Sequence, residues 1–121
     1  MIKILALLLL CAAYLQGGLD KLLDFAGAVA EMQHFGLPMP QVMAVLVIAL
    51  ELGASLGMVV GIWRKPSGVA LALFTLAATM LANRFWELPL GPARMMTENS
   101  FFEHLGIAGG LIYAAIRDDA A

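Results

Sequence analysis

The chain has 121 residues, of which 62% are hydrophobic and 13% are charged, a balance that excludes an ordinary soluble domain and indicates a membrane protein. Its formal net charge of −2, without a basic cluster, argues against nucleic acid and anionic lipid headgroups as partners. The single cysteine, Cys11, excludes an internal disulfide, a C-x-x-C redox pair and a cysteine-based zinc site.

The first predicted element is an apolar helix over residues 2–21, which we expect to span a membrane. Lys3 followed by an apolar run also fits a signal peptide, but no small-x-small cleavage site follows, so a retained span is favoured. Lys21 near its end is either a functional residue or a lysine that reaches to the membrane surface.

A short amphipathic helix is predicted over residues 22–35, where apolar residues recur at helical spacing. We expect this helix to lie at the membrane interface, with His34 solvated rather than binding a metal. Pro38 and Pro40 break the pattern before the next helix.

The central predicted span covers residues 41–62 and carries one acid, Glu51, close to its middle. At 1.5 Å per residue this helix extends about 33 Å, which matches the hydrocarbon thickness of a bilayer. An ionisable side chain at that depth costs a few kcal/mol, so Glu51 should face the interior of a bundle and find a partner there. The alternative is that Glu51 acts only as a hydrogen-bonding clamp between helices.

Glycines suggest where helices approach one another closely. In the central span Gly53, Gly57 and Gly61 recur every four residues, and Gly109 and Gly110 are adjacent in the last predicted span. Small residues at such spacing are typical of membrane helix interfaces, so we predict packing roles for these glycines.

The third predicted span, residues 67–83, places Thr75, Thr79 and Asn83 at four-residue steps and so has one polar side. The threonines have the alternative of bonding to carbonyls of their own helix. An external loop is predicted over residues 84–100, long enough to fold back as a lid.

The fourth predicted span, residues 101–116, begins with Glu103 and His104. The sequence therefore predicts an all-α, four-helix transmembrane bundle with one interfacial helix, forming a single domain over residues 1–121. More basic residues fall on the side of the termini than on the other, so we expect both termini to be cytoplasmic.

Alternating helix directions bring several polar residues to the outer boundary of this bundle, with Glu51 deeper. These residues are Lys21, Asn83, Arg84, Glu103 and His104. We predict an outward-opening polar cavity in which Lys21 or protonated His104 favours ionised Glu51. No metal site is predicted, because the two histidines lack ligand spacing.

The order of several short motifs resembles the DoxX family across nearly the whole chain. The motifs are GGLDKL at residues 17–22, FGLP at 35–38, ELG at 51–53, GIWR at 61–64, NSFFEHL at 99–105 and GGL at 109–111. The resemblance implies a four-helix bacterial cytoplasmic-membrane protein, in a family linked to a terminal quinol oxidase and to thiosulfate oxidation by quinone.

By the same resemblance, the family's glycine–lysine position falls on Gly17 or Gly18 and Lys21, and its acidic position falls on Glu51. The Asn–Phe–His stretch of its last helix falls on Asn99, Phe102 and His104. Some members carry cysteine pairs, and their absence here puts autonomous thiol oxidation in doubt.

The leading functional prediction is an accessory or ligand-binding subunit of a quinone-linked redox system, at most a non-catalytic part of an oxidoreductase. We expect no intrinsic cofactor but a bound quinone or lipid. The expected partners are the bilayer, other redox subunits or a second copy of the chain. The alternatives are a proton-coupled small-molecule transporter and a purely structural membrane assembly factor.

Overall fold

The computed structural model describes residues 1–117, and this part of the chain is helical without any strand. Its α-helices are α1 (Ile2–Leu23), α2 (Phe25–His34), α3 (Pro40–Val60), α4 (Arg64–Ala82) and α5 (Pro92–Ile116), with a 3-10 turn at Phe85–Glu87 between α4 and α5. The all-α prediction is confirmed.

Within residues 1–117, three helical segments are long and apolar enough to cross a membrane, judged by length and composition. They are Ile2–Leu23, Pro40–Val60 and Arg64–Glu87. The fifth helix is not among them, and its sequence includes the polar residues Asn99, Glu103 and His104. The protein is therefore a membrane protein with three candidate spans, and a fourth span in α5 stays a prediction.

The break between α1 and α2 lies at Asp24, whose side chain accepts a hydrogen bond from the backbone N–H of Gly27 at 3.1 Å. Such a contact satisfies one of the free donors at a helix start, so Asp24 begins α2 as its N-cap. The predicted short helix is therefore present, but it is shorter at both ends than predicted. Its location at a membrane interface stays a prediction.

The turn between α3 and α4 is shorter than expected, because α4 already begins at Arg64. Gly61 takes a positive φ of 90°, a conformation that suits glycine at the end of a helix. Arg64 is 6% exposed, and its Nε donates to the carbonyl of Met58 at 2.7 Å. Arg64, which falls between the predicted second and third spans, is thus buried against the last turn of α3.

The predicted loop over residues 84–100 was wrong, because α5 begins at Pro92. Proline at the first helical position has its φ already set for a helix and lacks only a donor that would be unpaired there. Rings of Phe85 and Trp86 pack edge-on against Phe101, with centroids 5.5 and 5.6 Å away. Most of the segment expected to form a lid is thus a packed turn and a helix.

Helix α3 packs between α1 and α4, and α4 in turn packs against α5. The short helix α2 lies mainly on α3. Helices α4 and α5 approach each other closely at Gly68, where a Cβ would lie 2.8 Å from that of Ala115 and 3.0 Å from the Leu111 carbonyl oxygen. Phe85 meets Phe101 at the opposite end, so these two helices run antiparallel.

The predicted packing glycines divide into two groups. A Cβ on Gly57 would lie 2.8 Å from the Ile62 carbonyl oxygen, and one on Gly110 would lie 3.4 Å from Leu10. Gly61 forms the turn described above. At Gly53 and Gly109, no heavy atom of the described chain other than the adjacent backbone of the same helix lies within 4 Å of the Cβ position, so these two make no close helix contact within residues 1–117.

Candidate functional site

A cavity of about 470 Å³ lies among the helices at the end where α2 joins the bundle. Its walls are largely apolar and include Met32, Val47, Phe74 and Ile107. Six polar or charged side chains also line it: Tyr14, Lys21, Glu31, Glu51, Thr75 and His104. A concave apolar site with a few converging polar groups is the usual form of a small-molecule site, and its volume is within the common range.

The centre of the site is an ion pair between α1 and α3. Lys21 Nζ lies 2.9 Å from Glu51 Oε1, and the two side chains are 18% and 7% exposed. The acid predicted to need a buried partner therefore has one. A pair so shielded from water is strongly coupled, because losing either member leaves a buried charge without compensation.

Two glycines of α1 make this pairing sterically accessible. A Cβ on Gly17 would lie 3.1 Å from Glu51 Oε2 and 3.6 Å from Lys21 Nζ. A Cβ on Gly18 would lie 2.8 Å from Leu52 Cδ2. Helix α1 thus approaches the carboxylate closely because these positions have no side chain.

A hydroxyl pair forms a second polar contact in the cavity wall. Tyr14 and Thr75 share a buried side-chain hydrogen bond, and Thr75 Oγ1 also donates to the carbonyl of Leu71 at 2.7 Å. Since Thr75 has one hydroxyl proton and a carbonyl only accepts, Tyr14 must donate to Thr75. The Tyr14 oxygen keeps its lone pairs and can accept a further hydrogen bond.

His104 reaches the cavity from α5. Its Nδ1 lies 2.6 Å from the carbonyl oxygen of Ser100, and because that oxygen only accepts, Nδ1 carries the proton. Nε2 is then the ring atom that remains for a ligand, as an acceptor in the neutral ring and as a donor when the ring is protonated.

Three of the six predicted site residues lie outside the cavity lining. Asn83 donates from Nδ2 to Thr79 Oγ1 at 3.0 Å. Arg84 Nη2 pairs with Glu87 Oε2 at 2.9 Å on the surface, and Glu103 is exposed on α5. The structure therefore brings together Lys21, Glu51 and His104 and leaves Asn83, Arg84 and Glu103 outside the cavity.

Sequence reasoning missed Tyr14 and Glu31 as cavity residues. Tyr14 precedes Gly17, Gly18 and Lys21 at three-, four- and seven-residue steps, so helical spacing places it on their face of α1 and supplies the missing signal. Glu31 reaches the cavity only because α2 folds back over α3, and no local pattern predicts that placement.

Ser55 is a buried polar residue with no visible function. It lies one helical turn beyond Glu51, is 0% exposed, and its hydroxyl has no hydrogen-bond partner within the described chain. Over residues 1–117, no group of three or more histidine, cysteine, aspartate or glutamate side chains is arranged to hold a metal ion.

Comparison with known proteins gives one family and one relative. The model of the DoxX family matches residues 4–84. The chain is also 28% identical over 104 residues to the inner membrane protein YphA of Escherichia coli (strain K12), an alignment that covers 86% of this chain and 74% of that protein. No solved structure matches. Lys21 and Glu51 lie within the family match, whereas His104 lies beyond it.

Proposed function

Because the chain belongs to the DoxX family, we propose that it is a small accessory or ligand-binding subunit of a quinone-linked redox system in the bacterial cytoplasmic membrane. Its similarity to an inner membrane protein supports that location. Three apolar helices of membrane-spanning length support contact with the bilayer, and we place α5 in the membrane as a fourth span with α2 at the interface.

The observation that carries the proposal is the meeting of Lys21, Glu51 and His104 at one apolar cavity. A quinone head group is flat and apolar apart from two carbonyl oxygens, and when bound it supplies the capacity to accept electrons and protons. A cavity of about 470 Å³ with apolar walls and few polar groups fits a ligand of that kind.

Each polar side chain has a distinct role in this proposal. Lys21, which is already within 2.9 Å of Glu51, donates a hydrogen bond to one ligand oxygen. His104 Nε2 donates to the other oxygen when the ring is protonated, since Nδ1 is held by the Ser100 carbonyl. Glu51 supplies or accepts the proton that accompanies electron transfer in the partner subunit.

Orientation and assembly follow from the charge distribution. Arg64 and Lys65 begin α4 at the end opposite the cavity, and Lys3 lies near the start of α1 at that same end. Placing that end on the cytoplasmic side satisfies the positive-inside rule and turns the cavity outward. Electron transfer then requires other subunits, which we expect to contact the exposed apolar faces of the helices.

The proposal is tested by mass spectrometry of the gently purified protein for bound quinone, together with titration of the purified protein with a short-chain quinone. We expect quinone to co-purify with the wild type. In the titration, Glu51→Gln should bind the short-chain quinone at least tenfold more weakly, a loss of about 1.4 kcal/mol of binding free energy. That substitution keeps the size of the side chain and removes its charge and its capacity to take up a proton.

Glu103→Gln is the matched control, because it makes the same chemical change on α5 outside the cavity lining. Its quinone affinity should equal that of the wild type. Absence of quinone binding in the wild type, or equal losses in both variants, would overturn the proposal.

A proton-coupled transporter is the second candidate, favoured by the buried position of the Lys21–Glu51 pair. Transport requires the cavity to open alternately at both ends, so the tight contact of Gly68 with Ala115 would have to separate. Acid-driven uptake of an amphipathic solute into proteoliposomes, abolished by Glu51→Gln, would favour this function over the redox role.

A further inference from the structure

A second cavity lies directly beside the first and has a different chemical character. It has a volume of about 390 Å³ and is lined by the last turns of α1 and the first turns of α2. Carboxylates and an amide dominate its walls, from Gln16, Asp20, Asp24 and Glu31. These four side chains are exposed, so this acidic cleft is open to water.

The two cavities share a wall made of Gly17, Lys21 and Glu31. Glu51 stands immediately behind that wall, because Lys21 Nζ lies 2.9 Å from its Oε1. The other carboxylate oxygen, Oε2, lies 3.1 Å from where a Cβ on Gly17 would be. Only the backbone of Gly17 and the side chain of Lys21 therefore separate the acidic cleft from the Glu51 carboxylate.

The charges around Glu51 favour this side for proton entry. Lys21 and Tyr14 face it from α1, Glu31 from α2 and His104 from α5. Asp20 and Asp24 lie in the cleft but not in the apolar cavity. Carboxylates at an entrance raise the local concentration of hydronium and other cations, whereas most of the residues that line the larger cavity are apolar.

We propose, resting on the function above, that the acidic cleft is the proton route to Glu51 and that the apolar cavity is the separate ligand route. In the proton step, hydronium in the cleft gives its proton to a Glu51 carboxylate oxygen and leaves as water. Lys21 stays protonated and swings toward the carboxylates of the cleft, which opens the wall. Ligand and proton thus reach the same carboxylate from opposite sides of Lys21.

The test blocks the cleft without touching the cavity. Asp20→Cys is labelled with a bulky hydrophilic maleimide, since Asp20 is exposed and lines only the cleft. Asp24 is left intact because it begins α2. The native Cys11 is 0% exposed and does not compete for the reagent. Protonation of Glu51 is followed after a pH jump by the infrared carbonyl band that Glu51→Gln lacks.

We expect the labelled Asp20→Cys protein to protonate Glu51 about tenfold more slowly, or slower still, than the unlabelled variant, with unchanged affinity for a short-chain quinone. Glu87→Cys carrying the same label is the matched control. It also loses one exposed carboxylate and lines neither cavity, so neither rate nor affinity should change.

An unchanged protonation rate in labelled Asp20→Cys would overturn the separate proton route. A label that lowers both the protonation rate and the quinone affinity would overturn it too. Failure of the wild type to develop the carbonyl band would also overturn it. Failure of the wild type to bind quinone would instead refute the proposed function, and the protonation rate would still decide the route.

Discussion

The two ends of the helical bundle differ in how closely their helices approach. At the closed end, near the start of α4, Gly68 contacts Ala115 and Leu111, and Arg64 is buried against the Met58 carbonyl. At the open end, α2 lies over α3 and the helices enclose a cavity of about 470 Å³. The same helices therefore form a tightly packed core at one end and a ligand-sized space at the other.

Side-chain size accounts for much of this difference. Small residues on α4 and α5 let those helices touch at the closed end, while the open end has Phe74 on α4 and Met32 on α2 in its walls. Buried Ala28 and Met32 pack against Ala44 and Val47 and form a separate small core over the cavity. The open end is thus supported by its own cluster in addition to the main core, to which Tyr14 of the cavity wall belongs.

The largest effect is expected at the open end, from Lys21→Met. The variant keeps most of the side-chain length and removes the ammonium, which leaves the Glu51 carboxylate 7% exposed and unpaired. Breaking a buried pair in this way costs about 3 to 5 kcal/mol of unfolding free energy. Unfolding by a denaturing detergent, followed by circular dichroism, measures the loss.

The double variant Lys21→Met/Glu51→Leu is the matched control for that experiment. Removing both charges takes away the buried unpaired carboxylate, so most of the lost stability should return while quinone binding stays lost. A single variant as stable as the wild type would mean that the pair contributes nothing to the open end.

The closed end is tested by Gly68→Ala. The added methyl would lie 2.8 Å from the Ala115 Cβ and 3.0 Å from a backbone oxygen, so α4 and α5 must move apart at a cost of about 2 to 3 kcal/mol. The same unfolding assay measures this loss of unfolding free energy. Gly109→Ala is the control, because no described atom lies within 4 Å there, and better helix propensity should add up to about 1 kcal/mol.

A smaller effect is expected where the two ends meet, from Thr75→Val. This nearly isosteric change leaves the buried Tyr14 hydroxyl without its acceptor, which costs about 1 to 2 kcal/mol. Ser55→Ala provides the contrast, because its buried hydroxyl has no partner in the described chain, and the variant should be as stable as the wild type or more stable. Equal losses of unfolding free energy in Thr75→Val and Ser55→Ala would show that the Tyr14 contact does not stabilise the protein.

The smallest effect is expected from Glu87→Gln, which breaks the surface pair with Arg84. Both side chains are about half exposed, at 49% and 54%, so water screens the interaction and less than about 0.5 kcal/mol should be lost. A loss above 1 kcal/mol in the unfolding assay would show that the aromatic turn depends on this pair.

Features that depend on the residues of a single helix could be predicted from the sequence. Length and composition predicted the apolar helices, and the energetic cost of Glu51 in an apolar helix predicted a buried partner, with Lys21 among the candidates. Asn83 and Arg84 are predicted to belong to the polar cavity, but the structure places them outside its lining. The rotation of α4 and the course of the turn after it depend on packing against α5, which the sequence of α4 alone does not reveal.

The N-terminal part of α5 was missed for a different reason. Pro89, Gly91 and Pro92 are typical of a loop, although Pro92 is also a favourable first residue of a helix. The side chains that decide between these interpretations are aromatic rings separated in the chain, such as Phe85 and Phe101. Their contact is tertiary, and hydrophobic periodicity within one segment does not reveal it.

The burial of Cys11 has a practical consequence for experiments on this chain. Its thiol is the only one in the sequence and is 0% exposed within the main core. A small thiol reagent can therefore modify the native protein only when that core opens, so the labelling rate reports the frequency of opening. Opening of the core can therefore be followed in the wild-type protein from the labelling rate of Cys11, without introducing another cysteine.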